Sequence, residues 1–361
     1  MTKELCYIID QISREKGIPR ETLLQTLEAA LVSAARKRFG GRVSVNLRID
    51  PKTCSISVFE TKRVVETVIN RDEEISLEEA RKLSQGKNLG DTIEIPLPLQ
   101  EFGRIAAQTA KQVLFQRVRE AERDIIYKEF KDKVGHIISG TVMRKEKGIY
   151  YINIGKTEAL LPQREALPGE NLKRGDTIRA YIEDVKTTPK GPVIYLSRSD
   201  LRFVAELFKI EVPEISEGLV IIKDVVREPG ERTKIAVYST NPTIDPVGAC
   251  VGMKGTRVQS IVRELRGERI DIIPWTDDPR ILIARALSPA IIDKIGIDEE
   301  QKAATVIVND QQLSIAIGKK GQNIRLAKKL TGWDIEVLSE SEYSRIKMDE
   351  AGKDQKEETS Q

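Results

Sequence analysis

Gly252-Met253-Lys254-Gly255 and Gly318-Lys319-Lys320-Gly321 are two short glycine brackets in the last third of a 361-residue chain. Each follows a small-residue apolar stretch (Pro246 to Val251; Gln312 to Ile317) and leads through an amphipathic helix into a β-branched strand. The brackets lie 66 residues apart and the flanks keep that offset. Val258 falls opposite Ile324, Ile261 opposite Ala327 and, after a one-residue deletion, Ile270 opposite Ile335. A lone bracket is a weak signal, but a helix-GxxG-helix-strand unit written twice in register marks a repeated domain.

Glycine at both ends lets the turn bring its backbone against another polymer, and the helix that follows opens with unpaired N–H groups. A phosphate is the natural guest of such a helix start. Lys254 and Lys320 hold the same third position, and Lys319, Arg257 and Arg325 surround them. From Gly318 to Leu330 there are five Lys or Arg and no Asp or Glu, in a chain whose net charge is only +3. A single bracket is ordinarily just a tight helix–helix connection. Two basic copies favour a nucleic-acid contact.

The pattern resembles the KH domain, whose GXXG loop holds about four nucleotides of a single strand. Around the first bracket the order is helix (Leu201 to Ile210), strand (Leu219 to Val226), strand (Thr233 to Tyr238), two helices and a strand, similar to the bacterial type II arrangement. The two units span about 201–276 and 277–345, joined by short connections that predict a fixed mutual geometry. Trp275 and Trp333 end strands, where packing is the expected role.

Upstream, residues 133–200 alternate short strands with turn signals: His136 to Met143, Tyr150 to Ile154, Ala159 to Leu161, Thr177 to Val185 and Val193 to Leu196. Five strands predict a small OB barrel. Gly140-Thr-Val, Ile154-Gly155, Ala159-Leu-Leu-Pro162, Leu167-Pro-Gly-Glu170 and Leu196-Ser-Arg198 resemble the S1-type barrel. Members that bind RNA stack bases on two aromatics and a histidine. Here Tyr151 matches one aromatic, Tyr150 is expected on the opposite face, and Pro162 stands in the histidine's place. The resemblance therefore implies an electrostatic surface or spacer more than a base reader.

Residues 1–132 form an α/β head. Pro19 suits the first turn of a helix carrying Leu23, Leu24, Leu27, Ala30, Leu31 and Ala34, with Gly40 as its stop. Val43 to Ile49, Ser55 to Phe59 and Val64 to Ile69 follow as strands, and Ser76 to Glu79 is a capping box. A long helix is predicted from about Leu99 to Lys131, apolar on one face and of mixed charge on the other. Residues 346–361, with almost nothing apolar after Asp349, are expected to be a disordered acidic tail.

Composition, 40% hydrophobic and 32% charged, is that of a globular protein, and no apolar run is long enough to cross a membrane. Cys6, Cys54 and Cys250 are widely spaced and odd in number, so they are expected as unpaired small core residues. With His136 as the sole histidine and no clustered carboxylates, no metal, cofactor or catalytic residue is expected. Thr141 stands where a phosphate-binding loop would need Lys.

An α/β head, an S1-type barrel and two tandem type II KH units, in that order, make a multidomain α+β chain that resembles the NusA family of bacterial transcription elongation factors. Leu27-Glu-Ala-Ala-Leu31, Arg232-Thr-Lys-Ile-Ala-Val237, Asp245 to Gly252 and Leu313 to Gly318 carry the match. The resemblance implies a cytoplasmic, monomeric, non-catalytic protein whose head binds RNA polymerase while barrel and KH units hold nascent single-stranded RNA. It would modulate pausing, intrinsic termination and antitermination, with other Nus factors as further partners. Some relatives add two acidic repeats that can cover the RNA surface; only 23 residues follow Leu338, so no such autoinhibition is expected. An RNA-degrading enzyme or its cap is the alternative with similar modules, but catalytic domains of that kind do not fit in 132 residues.

Overall fold

The computed structural model describes residues 2–39, 44–98 and 102–348. In the head, α1 (Thr2–Lys16) precedes α2 (Arg20–Arg38), for which Pro19 is the N-cap rather than the first helical residue. β1 (Val45–Ile49) pairs antiparallel with β2 (Ile56–Val65), whose far end also takes β3 (Glu74–Ser76) and β4 (Thr92–Pro96). Two predicted strands are thus one. Thr61 and Lys62 continue the ladder by pairing with Glu94 and Ile93, and Ile69 lies beyond it, almost fully exposed.

Ser76 caps α3 (Leu77–Leu83) by accepting from the Glu79 N–H at 3.3 Å. The long helix, α4, runs Gly103–Lys131; its predicted start at Leu99, like Gly40 and Val43, lies outside the described residues. One core joins Ile9, Leu23, Leu27, Leu31, Val45, Leu47 and Ile49 to Ala106, Ala110 and Leu114 of α4. The first half of α4 supplies that core, and near the helix's far end Phe130 is buried as well.

The cysteine expectation fails in the head. Cys6 on α1 and Cys54 in the β1–β2 turn are joined as a disulfide, and only Cys250 is free. The two lie 48 positions apart in sequence, and it is the β1–β2 turn that carries Cys54 to α1.

The second compact unit holds the barrel, apart from residues 189–192, and both KH units. Five strands, β5 (Ile137–Glu146), β6 (Ile149–Asn153), β7 (Glu158–Pro162), β8 (Thr177–Thr188) and β9 (Gly191–Ser197), close in the order β5-β6-β7-β9-β8. The first KH unit follows with α5 (Leu201–Glu211), α6 (Pro213–Ser216), β10 (Val220–Glu228), β11 (Arg232–Ser239), α7 (Pro246–Val251), α8 (Thr256–Glu264) and β12 (Arg269–Pro274). β11 is antiparallel to β10 and parallel to β12, the topology expected of type II. The second unit repeats it with α9 (Pro279–Ala286), β13 (Lys294–Asp298), β14 (Ala303–Val308), α10 (Asp310–Ile317), α11 (Gln322–Thr331) and β15 (Asp334–Ser339). A last helix covers 340–348, so residues 346–348, predicted as part of a disordered tail, are helical; Asp349 to Gln361 lie outside the described residues.

Two seams bind these parts. Between barrel and first KH unit, Arg198 has a side chain only 2% accessible; its Nε and Nη2 each lie 3.1 Å from Glu170, and Nη1 lies 2.8 Å from Glu264. Arg227 donates to buried Glu268 at 2.9 and 2.8 Å and to the Arg198 and Asp200 carbonyls at 2.8 and 2.6 Å. Charges this deep are tolerated only when each donor and acceptor is engaged, and loss of one partner strands the other.

Between the KH units the centre of the seam is apolar. α11 lies on β10 and β11, and Val226, Ala236 and Ile273 of the first unit join the core of the second. The central strand, β11, is therefore covered on both faces, which explains why it is buried over five consecutive residues, Thr233 to Val237, rather than at alternate ones. Lys234, in the middle of that run, is wholly buried and survives there by pairing with Asp271 at 2.7 Å.

Candidate nucleic-acid interface

The brackets are built identically. Gly252 closes α7 and Gly318 closes α10, each accepting a φ near +75° with an extended ψ (75°, 172° and 74°, 169°). That region of backbone space is open essentially to glycine alone. Lys254 and Lys320 then take the left-handed conformation at φ 51° and 53°, and Gly255 and Gly321 follow at 76° and 71°. Each closing glycine N–H returns to its opening glycine carbonyl at 3.0 Å. Neither α8 nor α11 has a side-chain N-cap, and the first N–H of each helix, on Thr256 and Gln322, turns back to the Met253 and Lys319 carbonyls.

Met253, Lys254, Lys319 and Lys320 are exposed at the tips. Arg257 and Arg325, which the sequence groups with them, are placed differently. Arg257 turns inward: its Nη1 donates to the Ala249 carbonyl at 2.6 Å and to Glu214 at 2.8 Å. At the 66-residue offset its counterpart is Asn323, fully buried, whose Nδ2 donates to the Ile315, Ala316 and Leu287 carbonyls at 3.4, 3.2 and 2.9 Å. The same position in both repeats therefore closes the C-terminal end of the helix before the bracket, once with a guanidinium and once with an amide. Arg325 is exposed on its outer face, but its Nε donates to Glu228 of the first KH unit at 2.6 Å. That bond holds the Glu228 carboxyl below its ordinary range and raises Arg325 further. Gln322 reinforces the link, donating to Glu228 and Glu231 at 2.8 and 2.9 Å.

Sequence reasoning missed Glu214, Glu228, Gln322 and Asn323. Asn323 was within reach, because the repeat offset sets it opposite Arg257.

On the barrel, Tyr150 points inward and is 1% exposed, while Tyr151 is half-buried with the Arg144 guanidinium carbon 3.9 Å from its ring centroid. Arg144 is itself tied to Glu146 and Glu158 at 2.8 and 2.6 Å. The one matched aromatic is thus covered by an arginine rather than open for stacking. His136 places Nδ1 3.3 Å from Glu206. Trp275 and Trp333 pack against the core of the second KH unit. Among the described residues no group of three His, Cys, Asp or Glu could hold a metal, and no helix is long and apolar enough to cross a membrane.

A five-stranded barrel fixed to two GXXG units of matching geometry defines a modular protein of the single-strand RNA-binding class. Family models agree along the chain: the NusA N-terminal domain matches residues 4–124, the S1 RNA binding domain 131–197, the NusA-like first KH domain 198–275 and the NusA-like second KH domain 279–345. The transcription termination/antitermination protein NusA of Halalkalibacterium halodurans is 48% identical over 346 residues, covering 96% of this chain and 91% of its own. Its namesake from Bacillus subtilis is 49% identical over 346 residues, covering 96% and 93%. A solution structure of the N-terminal domain of the B. subtilis protein is 45% identical, covering 34% of this chain and 99% of that one, with a TM-score of 0.32. The chain belongs to the NusA family of transcription termination/antitermination proteins, with RNA-binding S1 and KH domains.

Proposed function

We propose that the head, residues 1–132, docks on RNA polymerase while residues 133–345 hold the emerging transcript, and that this tether modulates pausing, termination and antitermination in the cytoplasm without catalysis by the chain itself. The observation that carries the reading is the pair of matching brackets, with exposed Lys254, Lys319 and Lys320, fixed in one compact unit by the α11 seam. Two clamps held at a set spacing bind the second stretch of a strand without repeating the entropic cost of association, so modest single-site affinities combine. Met253, the four bracket glycines and the three lysines form the phosphate-facing surface. Arg257 supports the first bracket, Arg325 orients the second, and Tyr151 beneath Arg144 contributes charge more than stacking.

The test divides the chain. Immobilised residues 1–132 retain polymerase subunits from a bacterial lysate, and residues 133–345 bind single-stranded RNA as the whole chain does. Recovery of exonuclease subunits on the head, or a folded 133–345 fragment that fails to bind RNA bound by the whole chain, refutes the assignment.

A further inference from the structure

We propose that Cys6 and Cys54 are a redox-modifiable dithiol, which a low-molecular-weight disulfide converts reversibly into a bond clamping α1 to the β1–β2 turn. The two residues sit with Cα atoms 5.4 Å apart, within the span a disulfide requires without backbone movement. The turn presents Cys54 in a fixed pose. Asp50 accepts from the Lys52 and Thr53 N–H groups at 2.8 and 2.7 Å, its carbonyl takes the Cys54 N–H at 2.8 Å, and Cys54 itself stands at φ 52°.

A cation attends both sulfurs. Arg20 Nη2 lies 3.2 Å from Cys6 Sγ and 3.4 Å from Cys54 Sγ, and the guanidinium is held there by Asp10 at 2.6 Å and by the Pro51 carbonyl. The thiolate is the reactive form of cysteine, and a neighbouring guanidinium favours it. Exposure assigns the order of events. Cys6 is partly accessible and Cys54 is fully buried, so Cys6 is the attacking thiol and Cys54 the resolving one.

In the first step the Cys6 thiolate attacks one sulfur of glutathione disulfide, forming a mixed disulfide and expelling one glutathione thiolate. In the second, the Cys54 thiolate attacks Cys6 Sγ and expels the other. Two electrons pass from the protein dithiol to the small disulfide, and the two protons end on two glutathione molecules. In a reducing compartment such a bond is transient, which makes the site a reversible one. Its consequence is local: α1 supplies Leu5, Ile8 and Ile12 to one wall of a cavity of about 660 Å³ whose other wall is α4, and the clamp fixes that wall.

The full chain carries its own control. Cys250 is buried and its thiol is pushed up to about 12 by that burial, so it stays unreacted. After incubation with glutathione disulfide, trapping by alkylation and peptide mass spectrometry, Cys6 and Cys54 lose alkylation together and regain it with dithiothreitol. Hydrogen exchange across α1 slows in the oxidised form. Cys54→Ser stops at a Cys6–glutathione mixed disulfide, and Arg20→Gln slows the first step about tenfold, with Arg20→Lys restoring part of the rate. The proposal is overturned if Cys6 keeps its full alkylation, if the native chain stops at the mixed disulfide, or if Arg20→Gln reacts at the native rate.

Discussion

Replacing Lys319 and Lys320 together by Gln removes two exposed positive charges from the second bracket and leaves its backbone to the glycines. For a single strand, each phosphate neutralised by the protein contributes about −0.7 to the slope of log K against log salt. If each lysine faces one phosphate, the double variant flattens the slope by about 1.4, and Lys254→Gln flattens it by about 0.7. Between about 50 and about 200 mM salt the native protein then loses about sevenfold more affinity than the double variant, and about 2.6-fold more than Lys254→Gln. Arg325 makes the comparison sharp. Its charge is already matched by Glu228 at 2.6 Å, so Arg325→Gln should weaken binding through misplacement of the bracket while leaving the slope near the native one. Fluorescence anisotropy with a labelled single strand at five or so salt concentrations reads all four slopes, and circular dichroism checks folding. A native slope in the lysine double variant, or an Arg325→Gln slope flattened as much as that of Lys254→Gln, would refute the division between phosphate-facing lysines and orienting arginines.

The opening glycines should prove stricter than the closing ones. A Cβ on Gly318 would lie 2.7 Å from Asn323 Cβ and 2.9 Å from its backbone nitrogen, so Gly318→Ala lowers RNA affinity by more than about tenfold. Gly321→Ala meets nothing within 4 Å and costs only the left-handed strain of about 1–2 kcal/mol in urea unfolding. At the barrel seam, Arg198→Met leaves Glu170, 1% accessible, with only the Arg266 guanidinium at 3.5 Å and the Leu167 N–H at 3.2 Å, and should destabilise the second compact unit by up to about 3 kcal/mol, read as a lower urea midpoint. The Glu228–Arg325 link should depend on pH with a definite sign. Because the Arg325 hydrogen bond depresses the Glu228 carboxyl in the folded state, its stabilisation is complete above the ordinary carboxylate value of 4.5 and is lost as pH falls through the lower folded value. Hydrogen exchange across α11 should rise over that window in the native protein and lose this dependence in Glu228→Gln.

The brackets were legible because their requirement is local: a φ near +75° with an extended ψ admits glycine, and the same four positions recur at a constant offset. The barrel strands were legible for a similar reason, since closure buries alternate residues. What escaped was pairing across long stretches of chain. Arg257 meets a carboxylate 43 residues upstream and Arg325 one 97 residues upstream, so nothing in the charge count of the bracket distinguishes them from the free-facing lysines. Cys6 and Cys54 escaped likewise, because an odd number of cysteines says nothing about which two a distant turn and helix will bring together.

One long-range fact did leave a local trace. Thr233-Lys234-Ile235-Ala236-Val237 is buried at every position, although a sheet with one wet face should alternate. A lysine there is tolerable only if another domain covers the second face and a carboxylate waits under it, and both conditions are met, by α11 and by Asp271 at 2.7 Å. The corresponding strand of the second unit, β14, alternates over its first four residues and leaves Ala303 and Thr305 partly exposed, because no further KH unit lies on that face among the described residues. Read together, the two strands distinguish the covered repeat from the terminal one, and they place the rigid seam on which the spacing of the brackets depends.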